Sequence, residues 1–367
     1  MPAPRVGVVG VIVFIAAAAP GTYSSGTRQT ERSHRPGPVT MTQTTQSNVA
    51  ATSKLAGYFF AVAAGTLWGT TGPLSTALYA EGAQLTDVGF WRILLSVLGL
   101  AVYGLFRPDL FRIDRRGLLL IGLVGGALVA LFEVAFQFAI AGVGVAPAVA
   151  LLYTAPVIVA ILARPLLGEA LTVKRVAVAV VVMMGVALTV NGHTTSEGDP
   201  AAAAGLSTTA AGILGGLLSA MGYAGSTLLA RYAVPRYGAV KVLFLELVGG
   251  TLILALFLPL AGHTPMPAGS LAGWVYIMAL GIGAVLGANF CYFAAVRRID
   301  AAPASVGASI EPVVGAILAL LLFGQGLTWF GWLGLFMVVG GVASGYLGEA
   351  STSETREDRL ETVGSGA

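Results

Sequence analysis

Charge is the scarcest thing in this chain. Only 10% of its 367 residues are Asp, Glu, Lys or Arg, against 56% hydrophobic, and the mean hydropathy is +0.85. A water-soluble fold of this length needs more charge to cover its surface, so a soluble globular protein is excluded. There is a single cysteine, Cys291, inside an apolar run. That excludes a disulfide framework and a thiolate metal site. The histidines, His34, His193 and His263, all lie in polar segments, and no Asp lies well inside an apolar run. Neither Gly-x-Gly-Asp nor Gly-x-Ser-x-Gly occurs. An intramembrane enzyme needs a nucleophile with its base, or paired aspartates, at membrane depth, and none is present. The net charge of +3 comes from short basic loops rather than a basic face, so it points to no nucleic acid. No cofactor is called for.

What the chain does have is apolar runs of about 20 residues, each long enough to cross a hydrocarbon core of roughly 30 Å. We expect ten spans, near 55–80, 86–106, 117–142, 145–163, 173–191, 206–231, 239–261, 271–296, 301–323 and 329–348. All should be helical, because lipid-facing backbone must satisfy its own hydrogen bonds and no alternating β-pattern appears. The expected fold class is an all-α membrane protein whose first partner is the lipid bilayer.

The runs are related in pairs. Ala146–Thr172 returns without a gap, 156 positions on, as Ala302–Thr328. Pro147 falls on Pro303, Pro156 on Pro312 and Gly168 on Gly324. Chance repetition of Ala and Leu would not place two prolines and a glycine in register. The same offset sets Gly69 on Gly225, Gly117 on Gly273 and Gly125 on Gly281. Repeats of this length define the architecture. The domains expected are a tail over 1–54, a first repeat over 55–191, a polar linker over 192–205, a second repeat over 206–348 and a charged tail over 349–367. Arg5 and the apolar run 6–19 resemble a signal peptide too short to span. Arg28, Arg32, Arg35 and Lys54 follow it, however, so we expect translation to begin at Met41.

Basic residues set the orientation. Arg107, Arg112, Arg115 and Arg116 lie between spans 2 and 3, and Arg164, Lys174 and Arg175 between 4 and 5. Arg231, Arg236 and Lys241 lie between 6 and 7, and Arg297 and Arg298 between 8 and 9. The alternate loops have none, which puts both termini in the cytoplasm. Five spans per repeat is an odd number, so the second repeat is inverted. Inverted repeats are a construction of transporters, with the substrate near the midplane where the copies meet. A channel would instead want rings of polar side chains along one continuous pore. Pro147, Pro156, Pro303 and Pro312 each remove a helix hydrogen bond. Their matched placement makes them candidates for gating, with an ordinary kink as the alternative.

Each half closes on a similar motif: Pro156 with Gly168-Glu169-Ala170-Leu171-Thr172, and Pro312 with Gly324-Gln325-Gly326-Leu327-Thr328. With Trp68-Gly69 and Arg92, these residues resemble the EamA branch of the drug/metabolite transporter superfamily over about residues 55–348. Gln325 departs from the family's usual Glu, and Trp68 aligns with Ala224 in the second copy. The resemblance implies a secondary carrier of small metabolites, often an exporter of amino acids.

Charged groups within spans are costly unless paired. Glu133 lies about 13 Å below the end of span 3, and Arg92 about 9 Å below the end of span 2, at 1.5 Å per residue. Three roles stay open for Glu133: bracing Arg92, holding a substrate ammonium, and exchanging protons. Gln137 shares its helix face, and Asn289 is its equivalent in the second repeat. Glu311 lies near the midplane of span 9, with Ser305 and Ser309 before it. Tyr153 aligns with Ser309, and Trp68 is a candidate aromatic wall. Glu246 is expected to pair with Lys241 or Arg236. The glycine pairs Gly122/Gly126, Gly212/Gly216, Gly283/Gly287 and Gly341/Gly345 are spaced for close helix contact.

Overall fold

The computed structural model describes residues 43–167, 173–194, 209–266 and 269–344. The start at Met41, the motif Gly168–Thr172, most of the linker and the C-terminal tail lie outside these residues. The chain forms two units, Met1–Leu55 and Ala56–Ala367, and every contact described below belongs to the second.

Helices account for nearly all the described chain. The elements are α1 (Gln43–Gly69), α2 (Thr71–Ala80), α3 (Leu85–Leu105), α4 (Arg115–Val143), α5 (Val145–Leu152), α6 (Ala155–Leu167) and α7 (Val173–Asn191). After the short strand β1 (His193–Thr194) come α8 (Thr209–Tyr237), α9 (Ala239–Leu260), α10 (Leu271–Val296), α11 (Ala301–Ala308) and α12 (Glu311–Phe323). The strand β2 (Gly326–Leu327) precedes α13 (Trp329–Ser344). Among the described residues, six stretches are long and apolar enough to cross a membrane: α3, α4, α8, α9, α10 and Pro303–Phe323. Val145–Val159, Val176–Asn191 and Trp329–Ser344 are apolar but shorter. Large apolar side chains such as Leu105, Leu256, Leu260 and Leu321 are exposed. On a chain so poor in charge, such a surface is a lipid surface.

The repeat is visible element by element. At the sequence offset, α5 falls on α11 and α6 on α12, residue for residue, so both helix pairs break at the same place. The breaks are Tyr153-Thr154 and Ser309-Ile310. The starts of α4 and α10 also match. Asp114 Oδ1 accepts from the Gly117 amide and Ser270 Oγ from the Gly273 amide, each satisfying a first-turn N–H. Both helices then carry a π-helical stretch, Leu118–Gly125 and Ala279–Gly287.

Small residues let the helices touch. A Cβ on Gly65 would strike the Ala308 carbonyl, and one on Gly69 would lie 2.8 Å from the Glu311 carbonyl. Thus α1 lies over the α11–α12 break. The converse contact between the repeats is made by α8, whose Ala220 and Ala224 cluster with Ala155 and Val159 of α6. Gly249 of α9 meets the Gly122 carbonyl of α4, as the glycine spacing anticipates. Gly283 differs: nothing lies within 4 Å of its Cβ position.

One end of the bundle is bridged between the repeats. β1 pairs antiparallel with β2, His193 opposite Leu327, and the Thr328 amide donates to the Gly192 carbonyl at 2.7 Å. The Val145 amide, a first-turn donor of α5, is received by Gln325 Oε1 at 3.1 Å. His263 Nε2 lies 2.6 Å from Asp87 Oδ1, and Ser270 Oγ donates to Glu81 at 2.5 Å. Gly144 has a φ of 84° and sits against His193, a conformation and a clearance that admit no side chain.

Candidate functional site

The two helix breaks face each other. Tyr153, at the first, donates its hydroxyl to Glu311 Oε2 at the second, 3.1 Å away. Glu311 opens α12, where the positive end of the helix dipole favours a carboxylate. Pro156 and Pro312 explain why the breaks are there, and all four prolines correct the expectation drawn from sequence. Pro147 and Pro303 are the third residues of α5 and α11, while Pro156 and Pro312 are the second residues of α6 and α12. In a first turn the missing N–H has no helical partner to lose. The prolines therefore start new helices rather than strip hydrogen bonds from the middle of one.

Beside the breaks lies a buried polar cluster from the first repeat. Arg92 of α3 and Glu133 of α4 form an ion pair, with Nε 2.8 Å from Oε2 and side chains only 5% and 3% exposed. The pair is close but not aligned as a hydrogen bond, and Arg92 Nη1 is buried with no hydrogen-bond partner. Phe132 faces the guanidinium at 6.0 Å. One turn beyond Glu133, Gln137 is fully buried. Its Oε1 accepts from the Tyr79 hydroxyl at 2.6 Å, and its Nε2 has no partner. The Arg92 charge lies within electrostatic range of both Tyr79 and Glu311. The cluster and the helix breaks thus form one electrostatic neighbourhood.

Several expected site residues are engaged internally. Trp68 packs on Tyr292 with ring centroids 5.6 Å apart, and the Tyr292 hydroxyl meets Ser305 Oγ at 2.8 Å. The Ser309 hydroxyl returns to the Ser305 carbonyl, and Asn289 Nδ2 to the Val285 carbonyl. Asn289 therefore does not reproduce Glu133's contact with a partner helix. Glu246 pairs with neither Lys241 nor Arg236: its Oε1 accepts from Ser226 at 3.1 Å, and Lys241 Nζ donates to the Arg112 carbonyl. Tyr79 and Tyr292 escape sequence reasoning because a tyrosine in an apolar run reads as packing. Burial forces each hydroxyl to find a polar partner, which is the available signal.

Outside the membrane, Asp114 in the loop before α4 is linked to Tyr237 at the end of α8. The Tyr237 hydroxyl, with the Gly117 amide and the nearby Arg236 charge, holds the Asp114 carboxyl below the usual carboxylate range.

A family model described as the EamA-like transporter family matches residues 55–191 and 210–344. No curated protein matches the chain. Among solved structures, one crystal structure of a protein is 19% identical, with a TM-score of 0.55 over 81% of this chain and 97% of its own. At that identity the likeness shows the fold alone.

Proposed function

The chain belongs to the EamA-like transporter family, in the drug/metabolite transporter superfamily, and from that premise we propose a secondary active carrier that works by alternating access. The family makes it a multi-pass membrane transporter of small solutes. Our finer reading is export of amino acids or related metabolites across the cytoplasmic membrane, with both termini in the cytoplasm. It assumes ten spans arranged as two inverted five-span halves.

One observation carries this reading: a broken helix from each repeat meets the other at Tyr153 and Glu311 beside a buried Arg92–Glu133 pair. Interrupted helices facing across a repeat interface are the usual way such carriers build a midplane site. In this reading Glu311 and Tyr153 contact substrate from the two breaks. Arg92 Nη1 and Gln137 Nε2 are buried donors without partners, and donors left so gain most from an arriving acceptor. Trp68, Ser305, Ser309 and Asn289 line the second-repeat side. Glu133 pairs with Arg92 and is a candidate for proton coupling. Pro156 and Pro312 set the breaks about which each repeat flexes, and Pro147 and Pro303 start the helices that lead into them. The contacts bridging the end with few basic residues, β1–β2 and Gln325–Val145 among them, must separate once per cycle.

The test is uptake and efflux in proteoliposomes against a panel of amino acids, nucleosides, sugars and cationic drugs, with and without a pH gradient. Saturable counter-flow of an amino acid is the expected result. Counter-flow of another solute class alone would reassign the substrate, and unsaturable flux would make the protein a channel.

A further inference from the structure

Glu246 is a buried carboxyl that the substrate site does not use and that, unlike Asp87, has no cationic partner among the described residues. It is 6% exposed, on α9, where α4 and α8 pack against that helix. Its Cγ sits 2.9 Å from where Gly125 of α4 would place a Cβ, so the side chain lies flat on glycine backbone. The partner of Oε1 is a neutral hydroxyl, Ser226. The ion pairs among the described residues are Arg92–Glu133, Arg112–Asp109 and His263–Asp87, none of which includes Glu246.

The charged and titratable groups on the surrounding elements are spoken for or remote. On α9, Lys241 is about 7.5 Å away along the axis and donates to the Arg112 carbonyl. On α4, Arg115 and Arg116 precede Gly125 by about 13–15 Å of helix, and Glu133 follows it by about 12 Å. On α8, Tyr223 and Arg231 flank Ser226 at about 4.5 and 7.5 Å along the axis, and Tyr232, Arg236 and Tyr237 lie further on. On α3, Arg92 is held by Glu133 and Asp87 by His263, and Tyr103 packs at a tilt against Phe290. An anionic carboxylate buried without a cation costs several kcal/mol, whereas the neutral acid fits a site offering one hydroxyl.

The next turn of α9 closes the site off. Gly249 and Gly250 meet Gly122 and Gly126 of α4 with backbone against backbone. These helices belong to different repeats, whose relative motion is the transport cycle.

We propose that Glu246 is a proton-binding site of that cycle, protonated while α4 and α9 are closed on it and exchanging its proton with water when the glycine seam opens. On opening, the carboxyl O–H bond breaks and the proton passes to water, leaving the carboxylate hydrated. On closing, the proton returns from hydronium. The proposal rests on the transporter reading for its purpose, but the site can be tested without a substrate.

The test is infrared spectroscopy of the full chain in lipid nanodiscs near neutral pH, reading the C=O stretch of protonated carboxylic acids. A band present in the wild type should be lost in E246Q and kept in E133Q. The same band in E246Q would overturn the site. Should E246Q not fold, Ser226→Ala keeps the acid and removes its donor. The band should then shift, and an unmoved band would overturn the assignment. In proteoliposomes, E246Q should exchange solute but lose accumulation driven by a pH gradient, and full accumulation would overturn the coupling. A wild type that shows the band but transports nothing in the panel would sink the transporter reading and leave the proton site standing.

Discussion

Neutralising Glu133 separates bracing from function. At 2.8 Å and an effective dielectric of about 20, the attraction between Arg92 and Glu133 is about 6 kcal/mol. Each ion loses several kcal/mol of hydration on burial, so the intact pair is close to neutral for stability. Half a pair is another matter. Glu133→Gln leaves the guanidinium buried without a counter-charge, and its Nη1 already lacks a hydrogen-bond partner. The expected loss is about 3–5 kcal/mol. Arg92→Gln should cost a similar amount, and the double substitution should recover most of it. Cys291 provides the assay, being the single cysteine and buried in the fold. Its reaction with a thiol-reactive dye during heating in detergent reports unfolding. Single variants within about 1 kcal/mol of wild type, or a double variant as weak as the two losses combined, would refute the reasoning. Transport then decides the role: a stable double variant that transports normally would remove Glu133 from the site.

Gln325→Ala should strand the Val145 amide at a cost of about 1–3 kcal/mol, speeding hydrogen exchange at the start of α5, while Gln325→Glu should restore protection because it keeps the acceptor. Gly249→Ala drives a Cβ into the Gly122 carbonyl and should abolish a folded, monodisperse preparation, whereas Gly283→Ala meets nothing and should leave thermal stability unchanged. The Asp114 carboxyl titrates lower in the fold than in the unfolded chain. Its stabilisation is therefore complete above the usual carboxylate value of about 3.9 and fades as pH falls below it; Tyr237→Phe should flatten that acid limb of the stability profile. A cysteine at His263 should react with an impermeant reagent added outside intact cells and one at Arg115 should not; the reverse pattern would end the proposed orientation.

The membrane class, the duplication and the family were legible in the sequence because each rests on patterns local to the chain. Low charge and long apolar runs follow from the solvent, whatever the packing. A gapless repeat survives because paired prolines and glycines answer backbone demands, and α5–α6 and α11–α12 duly break at matching residues. Arg92 and Glu133 stood out because a charge in an apolar run needs a partner, and their depths were close enough for the long arginine side chain to reach. Other features belong to the tertiary structure. That the prolines begin helices depends on where each helix restarts, which periodicity does not mark. Tyr153 meeting Glu311 and Gln325 receiving the Val145 amide each join residues of different repeats, and β1 pairing with β2 joins the linker to the second repeat. Glu246's neutral partner shows the limit of local reasoning most plainly. Lys241 is nearer in sequence, but a snorkelling lysine turns outward to the Arg112 carbonyl, and helix packing brings Ser226 to the carboxyl instead.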